Sequence, residues 1–94
     1  MQSWGFIEVV GYVPAVAAAD AMTKAANVEL VGTEVIGGAY LTVAIKGDIG
    51  AVRTAIDAGA EAAKAVGRVH CTNVIARPSL GAAKILNMKM DDKE

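Results

Sequence analysis

Between Trp4 and Ala76 the sequence gives one order of signals twice. A run of bulky and β-branched residues, Trp4 to Val10, meets Gly11, then an alanine-rich helical stretch carrying Asp20-Ala21, then a second such run from Val28 to Ile36. Tyr40 to Lys46, Gly47, a helical stretch carrying Asp57-Ala58, and Val69 to Ala76 repeat it. Two units of this kind predict an α+β, ferredoxin-like split β-α-β fold, with a four-stranded antiparallel sheet and two main helices on one face. The other sheet face and the edge strands are then left to water, a ligand or a partner subunit, and the fold alone does not choose.

Local signals set the boundaries. Pro14 suits a first helical position, where its missing N–H costs nothing. The run PAVAAADAMTKAA from Pro14 to Ala26 is a strong helix former, ended by Asn27. Gly37-Gly38-Ala39 is the tightest turn signal in the chain and joins two strands as a hairpin. Asp48 is placed to N-cap the second helix. Ile49, Val52, Ile56, Ala60 and Ala63 mark its buried stripe, while Arg53, Asp57, Glu61 and Lys64 fall on a solvated face. Gly67 follows as its C-cap, and Arg77-Pro78 stops the last strand because proline cannot donate to a ladder. A short C-terminal helix is expected over Ala82 to Leu86. Residues 1–86 form one domain, and 87–94 a polar, flexible tail.

A chain of 94 residues buries a modest share of its surface and gains little stability alone. Its apolar content is 54% but its aromatic content only 4%. Alanine fills the difference and contributes little core volume, which suggests helices packed very closely on a sheet or, the favoured reading, apolar surface that a partner subunit covers. A net charge of −1 offers no basic patch for nucleic acid or an anionic membrane. The single cysteine, Cys71, fits a reducing cytoplasm. No apolar run approaches the roughly 20 residues of a membrane span, and the first residues, MQSWGFIEVV, do not read as a signal peptide.

Catalytic groups are hard to assemble from these residues. His70 is the only histidine, and alternation along a strand sends its neighbour Cys71 to the opposite face, so they form no nucleophile–base pair. No spaced cluster of Cys, His and carboxylates suggests a metal site, and no cofactor is expected. Cys71 reads as a packed or half-buried thiol and His70 as a surface or subunit-contact residue. Gly37-Gly38 lacks the lysine of a phosphate loop and leads into a strand, not a helix. Asp91, Asp92 and Glu94 read as a solvated end.

Four motifs, in order, carry a resemblance: AAADAMTKAANVELVG from Ala17, EVIGGAYLTVAIKGDIGAV from Glu34, DAGAEAA from Asp57 and VIARP from Val74. They closely resemble those of the hexameric bacterial microcompartment (BMC domain) shell proteins and cover roughly Gly5 to Leu86 without gaps. The resemblance implies a non-enzymatic structural protein. It would form cyclic homohexamers that tile into the facets of a shell in the cytoplasm, around encapsulated enzymes and beside other shell proteins, with a central pore for small metabolites. A six-fold ring needs a heterologous contact with closing rotation, and a layer needs a further two-fold contact along each edge.

The family's edge residues fall on Lys24, Asn27 and Arg77 here. A lysine stem can lie along a neighbouring tile, and an arginine fork can reach carbonyls across the seam. The family's pore turn, K-I-G-S-G, falls on Val35, Ile36, Gly37, Gly38 and Ala39. Two departures matter: Val35 stands for the common lysine and Gly38 for the serine, so the opening is less polar. Asp20 either caps its helix locally or bonds across a subunit seam. The rival reading is a small ferredoxin-like oligomeric regulator that binds effectors between subunits, which would need a long effector loop and a basic nucleotide site. A third is a shell-like protein holding a metal or cluster at its pore, against which Cys71 lies away from the turn.

Overall fold

The computed structural model describes residues 2–76, so the expected helix over Ala82–Leu86, the 87–94 tail and Arg77 lie outside the described residues. The elements are β1 (Ser3–Val10), α1 (Tyr12–Ala25), β2 (Glu29–Gly37), β3 (Tyr40–Gly47), α2 (Ile49–Val66) and β4 (Arg68–Ile75). All pairings are antiparallel, in the order β2-β3-β1-β4. The two repeats thus interleave their strands, placing β1 and β3 at the centre. This is the split β-α-β sheet that the duplicated pattern predicts.

Alternation along the central strands divides the apolar residues between two faces. Ile7, Val9, Leu41, Val43 and Ile45 turn to the helices and pack with Ala15, Ala18 and Met22 of α1 and Val52, Ala55, Ile56 and Ala63 of α2. Each fully buried aliphatic side chain of this set contributes about 1.5–3 kcal/mol relative to exposure. A second cluster holds Trp4, Phe6 and Ala44, with Val31 and Ile75 packed on it. The rings of Trp4 and Phe6 sit 5.9 Å apart, tilted.

The alanines let the layers approach closely, and Gly59 goes further. A Cβ there would stand 2.5 Å from Met22 Cγ and 2.8 Å from Ile7 Cδ1. At that point α2 rests on α1 and β1 with no room for a methyl group.

Several boundaries differ from the sequence reading. Helix α1 begins at Tyr12, two residues before Pro14, because Gly11 turns the corner at φ 93°. Pro14 is buried in the first turn and packs on Gly67, where a Cβ would lie 2.7 Å from its Cγ. Gly67 therefore ends α2 in extended backbone, selected by this contact and not by a left-handed cap. Helix α1 stops at Ala25, with Ala26 already extended. Asp48 occupies the N-cap position of α2, yet only its backbone carbonyl is used, accepting from Val52 N at 2.9 Å. The buried stripe of α2 is Val52, Ala55, Ile56, Gly59 and Ala63, and Ile49 is exposed. The opposite face, Arg53, Asp57, Glu61 and Lys64, is exposed as expected.

Candidate functional site

The β2–β3 hairpin closes through Gly38 and Ala39, with Gly37 paired to Tyr40. Gly37 has φ 154° and Gly38 φ 57°, a sequence of angles that L side chains resist. Nothing within 4 Å would meet a Cβ at either glycine, so the backbone, not crowding within the protomer, selects them. The register shifts between Val35 and Gly37, leaving Ile36 outside the ladder. Val35 and Ile36 are consequently 55% and 50% exposed, and all five residues from Val35 to Ala39 are exposed.

The turn is fastened to the body of the protein. Gly11 N–H donates to the Ala39 carbonyl at 2.7 Å. That bond joins the hairpin tip to the corner where β1 becomes α1, so the tip and the start of α1 form one structural point. From there α1 runs 14 residues, roughly 21 Å at 1.5 Å per residue, before Lys24 and Asn27 appear at its far end. The structure thus separates the two predicted groups along one helix, the turn residues at its start and Lys24 and Asn27 at its finish.

Lys24 and Asn27 are both exposed. Lys24 Nζ donates to Asp20 Oδ2 at 3.0 Å, across one helical turn, with both side chains largely in solvent. Within one protomer the Asp20 carboxylate holds Lys24 in mid-helix, and no side-chain cap is made at the N-cap of α1. An exposed pair of this kind contributes about 0.3–0.5 kcal/mol, so the lysine is readily released to another acceptor.

Beside the start of α1 lies an open apolar groove of about 510 Å³, lined by Tyr12, Val13, Val16, Ala17, Asp20 and Val66. Tyr12, Val13 and Val16 are each about two-thirds exposed. A lone protomer thus leaves a group of large apolar side chains in water next to its turn.

On the β1–β4 seam the structure corrects the sequence reading. Glu8 pairs with Cys71 but Val9 pairs with Val69, so β4 carries His70 as an extra residue. The bulge cancels the alternation that was expected to send His70 and Cys71 to opposite faces. Both reach one oxygen instead: Glu8 Oε1 lies 3.6 Å from His70 Nε2 and 3.8 Å from Cys71 Sγ. The ring of Tyr40 meets the imidazole edge-on at 5.3 Å. Sequence reasoning missed this group because a bulge has no composition signal of its own. Burial raises the Cys71 thiol above its ordinary pKa, and the Glu8 carboxylate raises it further by repelling a thiolate and accepting the S–H. Cys71 is nonetheless exposed, which corrects the expectation of a packed or half-buried thiol: the bulge leaves it on the open β1–β4 seam, where the raised pKa disfavours its thiolate. Among the described residues no three His, Cys, Asp or Glu side chains are disposed to hold a metal ion.

A split β-α-β domain thus carries a glycine-rich hairpin tip fastened to the start of α1, with exposed apolar side chains beside it. The sequence profile of the BMC domain matches residues 3–78. The chain is 51% identical over 85 residues to the bacterial microcompartment shell protein PduA of Citrobacter freundii, covering 90% of this chain and 91% of that one. It is 49% identical over 86 residues to the carboxysome shell protein CsoS1A of Hydrogenovibrio crunogenus, covering 90% of each. A solved microcompartment protein from Desulfitobacterium hafniense superposes with a TM-score of 0.77 at 28% identity, covering 96% of this chain. This chain spans about half of that one's length, 49%. The chain belongs to the BMC domain family of microcompartment shell proteins.

Proposed function

We propose that this chain is a structural tile that catalyses nothing, a cyclic homohexamer that assembles edge to edge into the facets of a microcompartment shell. The turn from Val35 to Ala39 stands at the six-fold axis and frames a pore for small metabolites. Lys24, Asn27 and Arg77 stand at the outer edge, where one hexamer meets the next. The partners are further copies, other shell proteins in the same layer, and the enclosed enzymes.

The observation that carries this reading is the position of the two groups on α1. A ring tile needs a compact inner point and a polar outer point on each wedge-shaped subunit, and the hairpin tip and Lys24 occupy opposite ends of a roughly 21 Å helix. The exposed Tyr12, Val13 and Val16 give neighbouring wedges apolar surface to cover close to the axis. The heterologous contact closes the ring, and a separate contact at the edge extends the layer. The regulator reading loses support from the connections, since the longest between described elements is residues 26–28, too short for an effector loop.

Electron microscopy of assemblies tests the edge assignment. Lys24→Ala and Arg77→Ala are expected to keep hexamers intact and to abolish extended sheets. Normal sheets from both variants would refute the edge roles.

A further inference from the structure

The composition of the turn bears on what the opening takes, an inference that rests on the ring reading above. From Val35 to Ala39 no side chain carries a charge or a hydrogen-bonding group. Whatever stands at the turn is repeated six times around a narrow axis, so one charge per subunit there would dominate the local field. Here that contribution is zero. The ionisable side chain nearest the turn on β2 is Glu34, a half-buried carboxylate, which repels anions from the same region. Val35 and Ile36, each about half exposed, add an apolar collar beside the tip. Such a collar offers an ion nothing in place of the water it must shed, and this holds for cations drawn to Glu34 as well as for anions. Within Val35 to Ala39 only the backbone is polar, and its amide dipoles can satisfy a small neutral molecule.

We propose that the opening selects uncharged, weakly polar molecules of a few heavy atoms and rejects small ions, with Val35 and Ile36 as the residues that set this preference. A lysine at either position would convert the lining to a ring of positive charge, the arrangement used by anion pores.

Crystals of wild-type and Val35→Lys rings, soaked separately in glycerol and in sodium bromide, test this at the turn itself. Wild-type rings are expected to hold glycerol against the turn and to show no anomalous bromide signal there. Val35→Lys is expected to raise bromide occupancy at the turn about fivefold or more, and Ile36→Lys serves if that variant does not fold. Wild-type rings that hold bromide as strongly as Val35→Lys, or that hold neither probe, overturn the selectivity. Lysine rings that take up no bromide overturn the assignment to Val35 and Ile36. Native mass measurement of each preparation separates these outcomes from failure of the ring itself: a wild-type sample without a six-copy species would refute the proposed function instead.

Discussion

Two glycines of α2 allow packing to be separated from backbone preference. Gly50 lies in the first turn and Gly59 in the middle, and alanine at either gains helix propensity of up to about 0.8–1.0 kcal/mol. A Cβ at Gly50 meets nothing within 4 Å, whereas one at Gly59 would stand 2.5 Å from Met22 Cγ, 2.8 Å from Ile7 Cδ1 and 3.1 Å from Met22 Sδ. Ile7 and Met22 are fully buried, so neither can swing into solvent. Forcing a methyl into such a core costs about 1–3 kcal/mol, and this close approach belongs in the upper half of that range. Gly50→Ala should therefore be neutral to stabilising by up to about 1 kcal/mol, and Gly59→Ala destabilising by about 1–2 kcal/mol. Denaturant unfolding at one fixed protomer concentration reads the difference, since association shifts apparent stability by mass action. In a Met22→Ala background the penalty of Gly59→Ala should shrink, because two of the three close atoms are gone and the space they leave lets Ile7 shift. Equal effects of the two alanines, or an undiminished penalty without Met22, would refute this account of how the helices meet.

Three further expectations follow from the same geometry. Gly38→Asn should cost less than about 0.5 kcal/mol and Gly38→Val about 1–2 kcal/mol, since asparagine tolerates φ near 57° and a β-branched residue does not; thermal unfolding distinguishes them. Lys24→Ala should change protomer stability by no more than about 0.5 kcal/mol, because its intramolecular partner Asp20 is exposed, so any loss of sheets reflects contacts between tiles. Alkylation of Cys71 should rise with pH around a midpoint above that of free cysteine; the folded environment disfavours the thiolate, so reactivity appears only as pH climbs past the raised value. Glu8→Gln should lower that midpoint without restoring the free value, because burial, the larger cause, remains. A midpoint unmoved by Glu8→Gln would remove the carboxylate from the explanation.

The parts of the fold legible in the sequence are those written in periodicity. Alternation in YLTVAIK and the repeated glycine-helix order placed the central strands and the antiparallel sheet within a residue or so of their observed ends. What escaped was set by contacts between distant segments. Pro14 looked like a helix start, but the start is decided by Gly11, whose N–H reaches the Ala39 carbonyl, and Pro14 is instead spent on packing against Gly67. Ile49 fits the helical stripe of α2, yet it lies at the first residue of the helix, beyond the sheet's cover, while Gly59, with no side chain to read, lies at the centre of the contact. His70 and Cys71 were separated by an alternation rule that one bulge invalidates. The turn from Val35 to Ala39 was visible as a hairpin from its glycines, but its role and that of Lys24 came from resemblance. No physical property of an isolated lysine distinguishes an edge contact from a solvated charge.

The central claim is that this chain closes into rings of six. Native mass spectrometry of the purified 94-residue chain tests it most directly. Six copies of a 9.6 kDa chain give a species of about 58 kDa, and the account predicts that it dominates. A dominant monomer at 9.6 kDa, or a trimer at about 29 kDa, would contradict it.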